Sequence, residues 1–164
     1  MMLVLSLLVL ALAAASPSDG QMKLQRGNCP ESWFSFSGRC VKYFSSHVTW
    51  ADAELHCVSQ KANLVSIHSL EEHTFVNSLI KNFDPARRQT WIGLSDRHKE
   101  KRWMWSDGSA VNFVFWTAGE PNNLRNAEHC VHTSFKSEKK WNDCPCSGRY
   151  PFVCASHSKF FCGS

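Results

Sequence analysis

The sequence lacks the patterns that would indicate an enzyme. Its eight histidines include no HExxH metalloprotease pair, and its serines include no nucleophile elbow. No other catalytic constellation is found, so we predict that the protein is not an enzyme. It carries no DNA- or RNA-binding motif either, which argues against a nucleic-acid partner.

Long apolar runs are missing after the first residues of the chain. Residues 3–15 are almost wholly apolar and end in three alanines, a run too short for a membrane span but typical of a secretory signal. We therefore predict a signal peptide over residues 1–15, a secreted, extracellular protein and no membrane insertion. Residues 16–28 are predicted to form a short flexible leader.

Cysteine, in contrast, is abundant. The chain has 164 residues, about the length of one domain, and eight cysteines. An even number of cysteines in a secreted protein indicates a disulfide framework, although the sequence alone does not fix the pairing.

The net charge of +4 is modest, and much of the basic charge falls in two clusters. The ordinary interpretation is a solvated surface. The alternative is contact with an anionic glycan or a bacterial surface. The clusters are Lys99, Lys101 and Arg102, and Lys136, Lys139 and Lys140.

The order of the predicted elements is that of an α+β domain. A hairpin over 33–44 is followed by a helix over about 50–60 with Thr49 as its N-cap, and a second helix begins at a capping box of Ser69 and Glu72. The remaining predicted features are a helical stripe of Val76, Leu79, Ile80 and Phe83, short strands near 90–95, 130–134, 140–142 and 152–155, and a long functional loop over 96–128.

Side chains with hard oxygen donors lie in two short stretches of the chain. Such donors suit calcium better than zinc or copper, and closely gathered carboxylates need a cation or protons to coexist. An amide can bind a metal through its oxygen and still donate N–H bonds, so the set is suited to hold two adjacent sugar hydroxyls. Taken alone, Pro121-Asn122 is also typical of an ordinary turn. The donors are Glu120, Asn122, Glu128, Asn142 and Asp143.

These donors occur at a characteristic spacing. Glu128 precedes Cys130, and Asn142-Asp143 precedes Cys146, so each stretch is close to a cysteine. The chain also contains Trp91-Ile92-Gly93-Leu94, the tripeptides EPN at 120–122 and WND at 141–143, and cysteines at 57, 130, 146 and 154. On these motifs, the chain from about Cys29 to Cys154 resembles a C-type lectin domain, and in particular the secreted lectins of fish type.

The resemblance implies a disulfide-stapled fold with two helices, small antiparallel sheets and a long calcium-binding loop, in the long form that carries an extra N-terminal hairpin. The domain would span residues 29–155, followed by a tail over 156–164. The implied disulfides are Cys29–Cys40, Cys57–Cys154 and Cys130–Cys146.

Cys144 and Cys162 are then left over. They could pair with each other, or one could bridge to a second chain, which the place of Cys162 in the tail slightly favours. Zinc binding by Cys144-Pro145-Cys146 is a rival interpretation that a secreted protein does not favour.

The resemblance also implies a role for each oxygen donor. All five would hold calcium, and two adjacent hydroxyls of a sugar would complete the shell of the ion. Asp143 would be chiefly a metal ligand. The residues that would also hydrogen-bond the sugar are Glu120, Asn122, Glu128 and Asn142.

The EPN tripeptide implies the class of sugar. In lectins of this type, EPN with a cis peptide bond before Pro121 goes with mannose, glucose, N-acetylglucosamine or fucose, whereas Gln-Pro-Asp goes with galactose. Galactose-type sites also tend to place an aromatic residue just after the tripeptide. Here Asn123 and Leu124 follow, which favours the mannose type.

An auxiliary calcium site is implied by Asp96, Glu100, Asn123 and Glu128. His129 stands where calcium-binding relatives carry Asp, and imidazole is a poor calcium ligand. We expect this second site to be weak or empty.

We therefore predict a calcium-dependent lectin of mannose type that agglutinates microbes or serves innate defence, with glycans on microbial or cell surfaces as partners. A single sugar should bind weakly, at about the millimolar level, so a disulfide-linked or non-covalent homo-oligomer would supply useful avidity. The alternatives are ice binding, as in the similar type II antifreeze proteins, and a protein partner. The charged loop does not favour ice, and the retained ligands do not favour a protein partner.

Overall fold

A computed structural model describes residues 22–157, in which two helices pack on one connected sheet. The predicted signal peptide and Cys162 lie outside these residues. Within them, no helix is both long and apolar enough to cross a membrane. The elements are β1 (Phe34–Phe36), β2 (Arg39–Val48), α1 (Trp50–Ser59), β3 (Asn63–Leu64), α2 (Leu70–Phe83), β4 (Thr90–Ser95), β5 (Met104–Trp105), β6 (Cys130–Phe135), β7 (Lys140–Cys144) and β8 (Tyr150–His157).

The α+β prediction is confirmed, with one difference in the sheet. The strand order is β1-β2-β8-β4-β6-β7, with β3 paired to β8 and β5 paired to β4. The small antiparallel sheets expected from the sequence are joined into one, because β8 pairs antiparallel with β2 and parallel with β4, where Trp91 lies opposite Phe152. The central position of β8 also brings Cys154 to Cys57 on α1.

Both helices begin at the predicted capping residues. Thr49 accepts a hydrogen bond from the first turn of α1, and the hydroxyl of Ser69 accepts one from the backbone N–H of Glu72 at 3.1 Å. The carboxylate of Glu72 does not close the capping box. It accepts instead from the backbone N–H of His68 and pairs with Arg39 at 3.3 Å, so it ties the start of α2 to β2.

The apolar stripe of α2 is buried except at its end. Val76, Leu79 and Ile80 are each 2% exposed or less, whereas Phe83 is 50% exposed and stacks on Tyr43 with ring centroids 6.1 Å apart. The stripe therefore fixes α2 against the sheet by burying apolar area.

Gly93 in the middle of β4 is required by a close approach of two segments. A Cβ atom at this position would lie 2.6 Å from the carbonyl oxygen of Leu64 and 2.8 Å from the hydroxyl of Ser106. No other residue fits there without moving the backbone, so the glycine lets β4 lie tightly against β3 and the long loop.

The long loop is packed on the core, and it contains a strand that the sequence did not predict. In β5, Trp105 pairs with Leu94 of β4 and is 2% exposed. Its ring meets that of the fully buried Trp141 edge-on at 5.7 Å, and the indole N–H of Trp141 donates to Nδ1 of His73 at 3.1 Å. Buried aromatic contacts therefore hold the loop in place.

Three disulfides form, and they are the pairs that the resemblance implies. Their Cα atoms lie 5.6, 5.5 and 5.1 Å apart, within the usual range. Since Cys146 is oxidised, Cys144-Pro145-Cys146 cannot offer two thiolates to zinc. Cys144 is the free cysteine among residues 22–157, and it is 4% exposed.

Candidate metal centre

Asp143 on β7 anchors the EPN loop to the sheet. Its side chain is fully buried, and its two carboxylate oxygens accept hydrogen bonds from the backbone N–H groups of Asn122 at 3.1 Å and Asn123 at 2.7 Å. The peptide bond between Glu120 and Pro121 is cis. The predicted loop and the predicted WND strand are therefore in direct contact.

The side chains of the EPN loop converge on a short 3-10 turn, Leu124–Asn126. The backbone N–H of Leu124 donates both to the amide oxygen of Asn122 at 3.0 Å and to a carboxylate oxygen of Glu128 at 2.9 Å. The amide nitrogen of Asn122 donates to Glu120 at 3.2 Å. The turn thus places these three oxygen donors next to one another.

The carboxylates of this cluster carry uncompensated negative charge. Burial, followed by the neighbouring carboxylate of Asp143 and then the charge of Glu128, raises the pKa of Glu120. Burial also raises the pKa of Glu128, although the hydrogen bond from Leu124 opposes that shift. One carboxylate oxygen of Glu120 is buried without a hydrogen-bond partner. A divalent cation would satisfy that oxygen and offset the repulsion, so the residues fit a calcium ion.

Asn142 is positioned from behind by His132, a residue that the sequence analysis missed. His132 is 2% exposed, and its Nδ1 lies 3.2 Å from the carbonyl oxygen of Thr133. The ring hydrogen therefore belongs on Nδ1, which leaves Nε2 to accept from the amide nitrogen of Asn142 at 3.3 Å. That nitrogen also donates to the carbonyl oxygen of Asp143 at 2.6 Å. With its nitrogen occupied, Asn142 keeps its amide oxygen as the donor for a metal.

The hairpin register could have revealed this histidine. His132 on β6 lies directly opposite Asn142 on β7. A hairpin drawn from Cys130 and Trp141 onward would have placed the two side chains on one face, because opposite residues of an antiparallel pair share a face.

The auxiliary cluster has a different composition. Among the described residues, the group of three carboxylate and imidazole side chains whose ligand atoms all lie within 4.8 Å of one another is Asp96, Glu100 and His129, not the EPN cluster. Nδ1 of His129 lies 3.0 Å from Asp96 and 3.3 Å from Glu100. The backbone N–H of Lys101 donates to the second oxygen of Asp96 at 2.8 Å.

The predicted auxiliary ligand Asn123 is also engaged in this cluster. Its amide nitrogen donates to Glu100 at 2.7 Å, and its amide oxygen accepts from the backbone N–H of Glu128 at 3.1 Å. These residues do not fit a second calcium ion, because a nitrogen lies between the two carboxylates and calcium prefers oxygen donors.

A cavity of about 400 Å³ lies between the two clusters. Three carboxylates line it, from Asp96, Glu100 and Asp143, together with the aromatic ring of Trp103. Trp103 was not singled out from the sequence, because no local pattern places it beside both clusters. The cavity has the concave, acidic and partly aromatic lining that a polar ligand requires.

The chain is similar to known proteins over most of its length. The model of the Lectin C-type domain matches residues 46–156. A C-type lectin mannose-binding isoform from Oxyuranus scutellatus is 38% identical over 141 residues, which cover 82% of this chain and 89% of the relative. The galactose-specific lectin nattectin from Thalassophryne nattereri is 38% identical over 130 residues, which cover 79% of this chain and 81% of the relative.

Solved structures show the same likeness. The herring type II antifreeze protein is 36% identical with a TM-score of 0.74, and the match covers 79% of this chain and 98% of the other. The matched proteins are named as a mannose-binding lectin, a galactose-specific lectin and an antifreeze protein, at similar identity. Overall similarity therefore does not select the ligand, and the side chains of the site must do so.

Proposed function

We propose that this chain, which belongs to the C-type lectin domain family, is a calcium-dependent lectin for sugars of the mannose type. Members of this family bind carbohydrate and are not enzymes, which agrees with the lack of a catalytic constellation in the sequence. The observation that carries the proposal is the convergence of Glu120 and Glu128 on Asp143, with a buried oxygen of Glu120 left without a partner.

Calcium would be held by the side-chain oxygens of Glu120, Asn122, Glu128, Asn142 and Asp143. Bound there, the ion supplies a hard, high-coordination centre that accepts two further oxygen ligands. The carboxylates of Glu120 and Glu128 accept hydrogen bonds from sugar hydroxyls, and the amide of Asn122 donates to them. The amide nitrogen of Asn142 is already bonded to His132 and to the carbonyl oxygen of Asp143, so Asn142 would serve the metal and not the sugar contact expected from the sequence. A hydroxyl can then bind the metal while it exchanges hydrogen bonds with a carboxylate and with Asn122.

The order of acid and amide in the loop supports the mannose type. Glu120 offers acceptors on one side of Pro121, and Asn122 offers donors on the other, as in the EPN lectins that the chain resembles. Leu124, which is 59% exposed, follows where galactose-type sites tend to place an aromatic ring. Mannose, glucose, N-acetylglucosamine and fucose are therefore the favoured sugars.

Retention on mannose-agarose tests this proposal. The secreted protein should bind in calcium, elute with EDTA, and resist competition by galactose. The double variant Glu120→Gln with Asn122→Asp should shift the preference toward galactose while it keeps the calcium requirement. Unchanged preference in that variant would remove the EPN loop from the sugar site.

Ice binding is the second candidate, because the herring antifreeze protein shares the fold. The turn beside the cluster exposes Arg125, and Glu128 and Glu100 lie nearby, a charged surface that ice does not favour. Thermal hysteresis in calcium, together with no retention on mannose, would replace the lectin proposal with this one.

Secretion and assembly complete the proposal. The protein would be secreted through a signal peptide over residues 1–15, with the lectin domain over 29–155. Because a single site binds sugar weakly, useful avidity for a glycan-covered particle requires several sites, which a homo-oligomer would supply. Burial, with the charges of Glu128 and Asp143, strongly raises the pKa of the Cys144 thiol, so this thiol is a poor nucleophile for an interchain disulfide. We therefore assign any such bridge to Cys162.

A further inference from the structure

A second concave surface lies between α2 and the turn that joins β6 to β7. Its volume is about 330 Å³, and none of its lining residues belongs to the metal centre. We call it the basic groove. Its lining includes His73, Asn77, Arg87, Phe115, Glu138 and Lys139.

Positive charge reaches the basic groove from two segments. Arg87 comes from the segment after α2 and Lys139 from the β6–β7 turn, and both side chains are half-buried. Lys81 of α2 also lies in the lining, but it has an interaction of its own and is not counted as an available cation. The acidic residue in the lining, Glu138, pairs with Lys140 at 3.2 Å, so its charge is offset by a cation outside the lining. The groove therefore presents the positive charges of Arg87 and Lys139.

His73 at the base of the groove adds no charge at neutral pH. It is 3% exposed, and burial lowers its pKa to about 4. Its ring instead links the groove to the core, because it lies in the groove lining and its Nδ1 accepts a hydrogen bond from the indole of Trp141 at 3.1 Å.

The walls of the basic groove are joined to each other before any ligand binds. The amide nitrogen of Asn77 on α2 donates to the carbonyl oxygen of Lys139 on the turn at 3.3 Å, and the hydroxyl of Thr133 also donates to that oxygen at 3.4 Å. Phe115 forms an aromatic wall, with the ammonium group of Lys140 5.0 Å from its ring centroid. The cations are thus presented by a preorganised surface.

We infer that the basic groove binds a sulfate or phosphate ester carried by a glycan. A tetrahedral oxyanion offers several acceptor oxygens, so it can receive charge-assisted hydrogen bonds from Lys139 and from the fork of Arg87. A neutral sugar has no charge that these two cations could attract.

The basic groove and the metal centre share strand β7. Lys139 immediately precedes this strand and Asp143 lies near its end. Four residues of strand span about 13 Å. An acidic glycan of a few sugars can therefore contact both places, although the groove requires no calcium.

Binding in EDTA tests the basic groove independently of the lectin site. The probes are a sulfated heparin octasaccharide and a phosphorylated yeast mannan, with the desulfated octasaccharide and unphosphorylated mannan as blanks. The structure predicts calcium-independent binding of at least one esterified probe. Which probe binds identifies sulfate or phosphate as the ester.

A matched pair of variants separates the groove from general surface charge. Arg87→Gln with Lys139→Gln removes one Arg and one Lys from the groove, and Lys99→Gln with Arg102→Gln removes the same charges from the other basic cluster. We expect about a tenfold loss or more in the first variant and a loss below about twofold in the second. Circular dichroism and the thermal midpoint check folding.

The inference is overturned by equal losses in the two variants, or by the absence of binding to both esterified probes in EDTA. Neither outcome bears on mannose retention in calcium. Failure of the groove and failure of the lectin proposal are therefore distinguishable.

Discussion

The EPN cluster and the His129 cluster lie on the same long loop, yet they treat their carboxylates differently. In the EPN cluster, Glu120 keeps a buried oxygen without a partner, and the pKa values of Glu120 and Glu128 are raised. In the other cluster, the carboxylates of Asp96 and Glu100 both contact the imidazole of His129. Carboxylates gather in both places, but only the EPN cluster leaves the need for a cation unmet among the described residues.

The difference teaches that the number of acidic residues does not define a calcium site. One imidazole nitrogen lies 3.0 Å from Asp96 and 3.3 Å from Glu100, in the place that a metal ion would otherwise take. The same residue type has a different role on β6, where His132 holds Asn142 from behind and leaves its oxygen free for the metal. Whether a histidine opposes or supports a metal site therefore depends on where its ring nitrogens point.

Asp143→Asn should have the largest effect on calcium and sugar binding, because it removes a charge from the EPN cluster itself. The carboxylate is fully buried and accepts two backbone hydrogen bonds, so its charge holds the loop as well as the metal. We expect mannose retention to be lost, with calcium affinity reduced by roughly 3 kcal/mol or more. Calorimetric titration with calcium measures this.

Asp96→Asn is the matched control for that loss. It removes the same charge from the His129 cluster and should leave mannose retention intact. Loss of retention in both variants would mean that the two clusters act as one site.

Acid should weaken the fold through the two buried histidines. Burial lowers the pKa of His132 and of His73 to about 4, below the ordinary value of 6.5. The unfolded chain therefore takes up protons first, so stability is fully present above pH 6.5 and is lost as pH falls toward 4. Each histidine should cost up to about 3 kcal/mol over this window.

Urea unfolding of the calcium-free protein at pH 7, 5.5 and 4.5 checks the acid prediction. Wild type should lose stability toward the lowest pH, and His132→Gln should lose about half as much, because one titrating ring is gone. His129→Gln serves as the control, and the expectation fails if it flattens the profile as His132→Gln does.

His129→Asp should have the smallest effect on mannose retention. It would make the cluster of Asp96, Glu100 and His129 resemble the EPN cluster, because it removes the imidazole that distinguishes them. An added carboxylate beside Asp96 and Glu100 replaces the nitrogen with oxygen donors. The number of calcium ions bound should rise from one to two in a calorimetric titration, with the second site the weaker. His129→Asn, which adds no charge, should keep one ion, and a single ion in both variants would show that more than the imidazole blocks the second site.

Local signals predicted the elements of this fold better than its contacts. The caps at Thr49 and Ser69 and the strand 90–95 were predicted, because capping and periodicity depend on neighbours along the chain. β5 was not, since Trp105 becomes a strand residue only by pairing with Leu94. The merging of the small sheets through β8 has the same cause.

The candidate site likewise has residues that the sequence predicted and residues that it did not. The five oxygen donors were recognisable because short motifs carry them. The support from His132 and the position of Trp103 were not, because each depends on a hairpin register or a loop path that brings together residues distant in sequence. The basic groove likewise needs α2 and the β6–β7 turn to meet, so Arg87 did not join the cluster around Lys139 in the sequence.

The buried thiol of Cys144 directly follows Asp143 on β7, which makes it a built-in reporter of the neighbouring site. An alkylating reagent reaches such a thiol only when β7 opens, and a ligand that binds the closed form makes opening rarer by a factor of 1 + [L]/Kd. The labelling rate of the peptide that contains Cys144, followed by mass spectrometry, should therefore fall as calcium is added. The labelling rate of this native residue would thus give a calcium-binding curve without an added probe.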